Sequence, residues 1–124
     1  MINEFLTKAQ ENLTAAALLF EHELYNASAN RAYYATFQAA IAALANIGIH
    51  TNRSHEATQA QFASKLIKRR KVYPSHLKSY LMDLQKVRDF ADYKEYSISK
   101  KEAGRQLKKA TEFVSMIIET VQTG

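Results

Sequence analysis

Apolar residues recur every three or four positions along most of the chain, the spacing of helices that each bury one face. Over residues 3–24, Phe5, Leu6, Ala9, Leu13, Ala16, Ala17, Phe20 and Leu24 share a side, with Asn3 as a candidate N-cap and Leu18 opposite. A second helix is predicted over 27–47. Tyr33, Phe37, Ala40 and Leu44 form one stripe of it, and Arg31, Tyr34, Ala35, Gln38 and Ala42 form another. Alanines at 32, 35, 39, 40, 42, 43 and 45 favour helix and let neighbours approach closely, so cover on more than one side is expected. Gly48 suits the stop.

A polar connection, His50 to His55, follows, with Ser54 placed to cap a third helix over 55–70. That helix carries Gln59, Phe62 and Leu66 along one side and ends in Lys68-Arg69-Arg70-Lys71, where cations suit the negative end of the dipole. Pro74 closes the segment. A fourth helix over 76–93 aligns Leu77, Tyr80, Leu81, Leu84, Arg88 and Ala91. The fifth, over 100–122, opens on a Ser99–Glu102 capping box and carries Ala103, Leu107, Ala110, Val114, Ile117, Ile118 and Val121. Gly104 interrupts it with no reason visible in the sequence. Four long helices and a shorter one on short loops predict an all-α, antiparallel up-and-down bundle, with 1–124 as one helical domain.

Composition narrows the class. One proline and three glycines in 124 residues argue against an all-β fold, which needs many special turns. The absence of cysteine excludes disulfides, zinc ribbons and thiol catalysis. No apolar run nears the roughly 20 residues of a membrane span. The opening MINEFLTKAQ is unlike a secretory signal, so a bacterial or archaeal cytoplasm is the expected location. The sequons at Asn12, Asn26 and Asn52 would then carry no meaning. Net charge is +5, but residues 1–50 sum to −2 and residues 51–124 to +7. Such a basic half is either a surface for a phosphate-rich partner or a solvated face. Lys101, Arg105 and Lys108 are the secondary candidates for tracking an RNA backbone, although aromatics are not interleaved with them.

Arg88 is the misfit. It falls in an otherwise apolar stripe, and arginine is rarely buried unless paired. It must snorkel, meet a carboxylate such as Asp92, or line a site that holds an anion. Arg31 poses a milder version beside Tyr34 and Gln38. Either the two arginines tie helices together, or they serve a phosphate or a stacked base. Asp89 and Asp92, three apart, could bind a cation, but salt bridges to Arg31 or Lys86 are the simpler reading. His50 and His55 lack the carboxylate spacing of a metal set, so no metal or cofactor is expected.

The run Asn30-Arg31-Ala32-Tyr33-Tyr34-Ala35-Thr36-Phe37-Gln38-Ala39-Ala40, with Gly48, His55, Arg88-Asp-Phe-Ala-Asp92-Tyr93, and Ala103, Ala110 and Phe113, resembles the HEPN family (higher eukaryotes and prokaryotes nucleotide-binding) in its small prokaryotic branch. The resemblance spans nearly the whole chain. It implies a helical bundle, usually a homodimer with a cleft at the interface. Many members are ribonucleases, several acting as toxins; others pair with a small nucleotidyltransferase that can act as antitoxin; still others look like non-catalytic binding modules. Ribonuclease members carry an Arg followed, after four to six residues, by a His, for metal-independent attack of the RNA 2′-hydroxyl on its phosphate. Here Arg88 is followed by Tyr93, Lys94 and Glu95, none of them His. Tyrosine titrates near 10 and is a poor base at pH 7. Arg70 and His76 fit the bare spacing but straddle Pro74, an accidental match.

The candidate catalytic pair is therefore Arg88 with Tyr93, and the candidate ligand-binding residues are Arg31, Tyr34, Gln38, His55 and Asp92. In this reading the arginines hold phosphate, the tyrosines stack or hydrogen-bond, and Asp92 orients an arginine. The simpler reading of His55 is a capping or packing residue whose pKa the helix N-terminus lowers. Three functions follow: a dimeric binding subunit working with a nucleotidyltransferase and nearly devoid of nuclease activity; a toxin ribonuclease using Arg88 with Tyr93 or His55; and a stand-alone nucleotide-binding module.

Overall fold

A computed structural model describes residues 2–51, 54–93, 95 and 97–123. Asn52 and Arg53 of the polar connection, and Lys94 and Tyr96 beyond the fourth helix, lie outside the described residues. The helices are α1 (Ile2–Glu21), α2 (Tyr25–Asn46), α3 (His55–Gln61, continuing as a π-helical stretch Phe62–Arg69), α4 (His76–Tyr93) and α5 (Lys100–Thr123). No strand occurs among the described residues. The all-α bundle expected from the hydrophobic spacing is the observed fold.

α2 is the central rod and touches every other helix. Its alanines explain why. Ala32, Ala35, Ala39, Ala40, Ala42 and Ala43 are all sealed from solvent, on several sides of the helix at once. Side chains this small let α1, α4 and α5 approach the α2 backbone closely. The larger Tyr33, Phe37 and Leu44 fill the spaces left between them, and Phe62, Leu81, Leu84, Phe113 and Ile117 close the core from the other helices. Ser28 donates to the Ala16 carbonyl at 2.8 Å, a buried hydrogen bond that joins α1 to α2. α2 ends as Gly48 predicts: with φ +81°, it lets its own N–H reach the Ala45 carbonyl while Ile49 N–H reaches that of Leu44.

Boundary expectations change at α1, in the third helix and at the start of α2, which begins at Tyr25, two residues ahead of its predicted start. α1 begins at Ile2, so Asn3 sits inside the first turn and is not the cap. It stops at Glu21, and Glu23 takes a left-handed conformation (φ 63°) that turns the chain back, leaving Leu24 exposed outside the apolar stripe. The third helix is not uniformly α. Ser54 does cap it, accepting from Ala57 N–H at 3.0 Å, but beyond Gln61 it widens, and Arg70 N–H reaches back five residues to the Lys65 carbonyl. The wider turn keeps Phe62 and Leu66 both fully buried while the four cations that follow stay exposed. α4 starts and ends where its pattern predicts. In α5, Glu102 N–H donates to Ser99 Oγ at 3.1 Å, one arm of the expected capping box. The link into α5 is pinned to α2 by Asn26, whose Oδ1 accepts from Ile98 N–H at 2.8 Å.

The structure shows no requirement for glycine at position 104. Phe20 of α1 lies over it, and a Cβ there would stand 3.5 Å from Phe20 Cζ, an ordinary van der Waals contact. Gly104→Ala should therefore fit without displacement and gain helix propensity. Stability is expected to rise by about 0.5–1 kcal/mol, read as a higher midpoint in urea unfolding at unchanged slope.

Candidate functional site

The two arginines meet on one face. Arg31 and Tyr34, three apart on α2, point the same way, and the antiparallel packing of α4 against that face, with Asn30 opposite Asp92 and Tyr34 opposite Arg88, brings Arg88 beside them. The Arg31 guanidinium carbon lies 4.8 Å from the Tyr34 ring centre and that of Arg88 lies 5.3 Å from it. Arg88 Nη2 donates to the Tyr34 hydroxyl at 2.9 Å. Tyr93, one turn beyond Arg88, places its ring centre 5.6 Å from the same guanidinium and is itself 72% exposed.

Arg88 does not wave in solvent: its side chain is only 15% exposed. Such burial requires compensation, and two neighbours on its own helix supply it. Nη1 donates to Asp89 Oδ1 at 3.0 Å, and Nε stands 3.0 Å from Asp92 Oδ2. The Nε contact is a charge pair but is off-line for a hydrogen bond, so the buried Nε–H has no hydrogen-bond partner. The carboxylates thus serve Arg88, and neither forms the anticipated bridge to Arg31 or Lys86 among the described residues. Asp92 is oriented in turn by Asn30, whose Nδ2 donates to its Oδ2 at 2.8 Å.

Arg31 is held differently. Its Nε and Nη2 both donate to Asn30 Oδ1, at 2.9 and 2.6 Å, and its Nη1 donates to Asn12 Oδ1 of α1 at 3.0 Å. One chain of contacts therefore runs Asn12–Arg31–Asn30–Asp92–Arg88–Tyr34, crossing α1, α2 and α4. Gln38, one turn beyond Tyr34, has a buried Oε1 with no hydrogen-bond partner.

His55 joins this cluster from α3. Its ring stacks on Phe37 (centres 4.6 Å apart) and meets Tyr34 edge-on at 6.1 Å, and its Nδ1 is hydrogen-bonded to the Tyr33 hydroxyl. Burial pushes the Tyr33 phenol up to about 12, so it keeps its proton and has one to donate to Nδ1. Burial, with the positive field of Arg88 added, holds His55 below the ordinary histidine value of 6.5, and Asp89 opposes this weakly. His55 is thus a neutral, packed imidazole at pH 7. Tyr34 is enclosed by Arg31, Arg88, Tyr33, Phe37 and His55. Tyr93 is the exposed ring of the cluster.

A hollow of ≈ 520 Å³ between α4 and the start of α5, with Val87, Phe90 and Ile98 as its apolar part, borders the cluster at Asp89. Lys101, Arg105 and Lys108 are exposed along α5, and Arg105 pairs with Glu102 at 3.4 Å. They share no hydrogen bond or ion pair with the Arg31–Arg88 cluster among the described residues. Of the three positions where a histidine would complete an Arg–His motif, Tyr93 and Glu95 are exposed and Lys94 lies outside the described residues. Among the described residues no three His, Asp or Glu side chains gather as a metal site would need. No helix among them is long and apolar enough to cross a membrane. Reading the sequence missed Asn12 as a site residue and treated Tyr33 as core only. Asn30 was visible in the Asn-Arg-Ala-Tyr-Tyr run, but its bridging role was not.

An α-helical bundle whose central alanine-rich helix offers Arg and Tyr to an Arg-Asp pair on the fourth helix defines a distinct class. A family profile described as the HEPN domain matches residues 2–121. The chain belongs to the HEPN family. It is also similar to the UPF0332 protein glr0978 of Gloeobacter violaceus, with 29% identity over 90 residues, covering 73% of this chain and 70% of that protein.

The geometry makes a titration prediction. A histidine whose folded pKa lies below its unfolded value binds protons more readily when unfolded, so its contribution makes stability rise with pH up to about 6.5 and flatten above. NMR titration should find His55 with a midpoint below 6.5, and Arg88→Gln should raise that midpoint by removing the nearby positive charge. An unchanged midpoint would mean that the two side chains do not share an environment.

Proposed function

We propose that this chain is a dimeric HEPN binding subunit that works with a small nucleotidyltransferase and recognises phosphate groups, with little or no nuclease activity. One observation carries the reading: the cluster gathers two guanidiniums, while the imidazole beside them is engaged through Nδ1 by a buried phenol. A general base needs a lone pair within reach of the proton it removes. Tyr93 supplies a phenol in place of the imidazole. The Nδ1 of His55 is occupied by the Tyr33 hydroxyl, and Arg88 already faces two carboxylates. What persists is a pair of guanidiniums, an exposed tyrosine ring and a basic second half, the chemistry of binding phosphate and stacking a base.

The test combines light scattering after gel filtration with an RNA assay. The purified chain should elute at twice its mass and form a stable complex with the nucleotidyltransferase of the neighbouring reading frame. Total RNA incubated with it should stay intact. Failure to form the complex would remove the partner role.

The proximity of His55 to Arg88 favours a second reading, a ribonuclease in which Tyr33 releases Nδ1 when RNA binds. Under that reading, induction of the protein arrests growth and degrades RNA, and both Arg88→Ala and His55→Gln relieve the arrest. Growth and RNA unaffected by induction would dismiss it.

A further inference from the structure

The two arginines beside Tyr34 are not equivalent. All three nitrogens of Arg88 face an oxygen of the chain, and two of those oxygens belong to carboxylates. An anion approaching Arg88 must displace or outcompete a charged neighbour. Arg31 meets only the neutral amide oxygens of Asn12 and Asn30, and among the described residues it has no carboxylate within ion-pair distance. A guanidinium carries five N–H groups. Three of those of Arg31 are used in these bonds, which leaves one N–H on each Nη. These remaining donors are available to the oxygens of an oxyanion. The Arg31 fork is braced from both sides, by α1 through Asn12 and by its own helix through Asn30, so little side-chain freedom is lost on binding.

We infer that Arg31, held by Asn12 and Asn30, is the phosphate anchor of this protein, and that Arg88 is a masked arginine that positions Asp92 and Tyr34. This rests on the phosphate-binding reading above and assigns the anion within that site. The ligand chemistry is a phosphate oxyanion, whether the terminal phosphate of a nucleotide or a phosphodiester of an RNA backbone. Asn12 then acts as a determinant of binding through its neutrality: a carboxylate in its place would mask Arg31 just as Asp89 masks Arg88.

Isothermal titration of the full chain with adenosine 5′-monophosphate and with the dinucleotide ApA tests this. Asn12→Asp preserves shape and the acceptor for Arg31 Nη1 but adds a negative charge. It is expected to weaken binding about tenfold, the scale of one charge-assisted hydrogen bond. Asn12→Ser removes the brace without adding a charge, so it should weaken binding by less than Asn12→Asp does. Asp89→Asn, which leaves Arg31 and its two braces in place, should stay close to wild type. Tighter binding of the mononucleotide assigns the site to a terminal phosphate and tighter ApA to a backbone phosphate; either supports the anchor if Asn12→Asp removes it. Should Asn12→Asp melt early, Arg31→Lys keeps the charge and loses the fork, and its affinity is expected to fall at least about fivefold. Affinity that ignores both Asn12→Asp and Arg31→Lys, or that responds to Asp89→Asn alone, overturns the assignment while leaving phosphate binding intact. A wild-type chain that binds neither probe overturns both the assignment and phosphate binding, and leaves complex formation with the nucleotidyltransferase as a separate result.

Discussion

A positive charge removed from water must be answered within a few ångströms, and the junction of α2 with α4 is built around that demand at Arg88. Its answer comes from three directions: the hydroxyl and ring of Tyr34 on α2, Asp89 beside it and Asp92 one turn on. The arrangement couples fold to site. Tyr34 can reach Arg88 only because α4 packs on the small side chains of α2. Asp92 keeps its orientation because Asn30, also on α2, donates to it. Remove the guanidinium and two carboxylates are left without this counter-charge, so the position bears on the stability of the α2–α4 junction.

The same junction organises the aromatic side chains. Tyr33 and Tyr34 are adjacent in sequence but have different fates. Tyr33 is fully buried and bonded to His55, while Tyr34 turns to the arginines. A 100° step along the helix separates the two directions. One residue thus anchors α3 and its neighbour anchors α4, so the pair ties both helices to the central rod.

Much of the fold was legible in the chain, for identifiable reasons. Helical spacing and alanine content carry the architecture, and Gly48, Ser54 and Ser99 mark ends through short-range chemistry that depends only on their immediate neighbours. The third helix was misread because a π-helical turn needs no distinctive residue; it arises from how Phe62 and Leu66 seat in the core. The start of α1 was misplaced by one residue, a scale on which helix ends are weakly specified. For the site, Arg88 announced itself by breaking an apolar stripe, Arg31 posed a milder form of the same misfit beside Tyr34, and His55 came from the resemblance to the family. Asn12 gave no such signal. A polar residue on a helix surface looks like any solvated side chain until the partner helix is in place. The pairing of Asp89 and Asp92 was likewise ambiguous, since a helix wheel offers several cations and only packing selects among them.

The widened turn at Phe62–Arg69 has its own consequence for the outer surface. Each extra residue accommodated within a turn swings everything downstream by about 100° around the axis. The cationic run from Lys68 to Lys71 therefore leaves the bundle at a different azimuth from the one a regular rod would give it, and Lys71 bends further away through its left-handed backbone. A gain of one residue just before Lys68 would redirect this basic tip as a unit, whereas one upstream of Phe62 would also turn Phe62 and Leu66 away from the core.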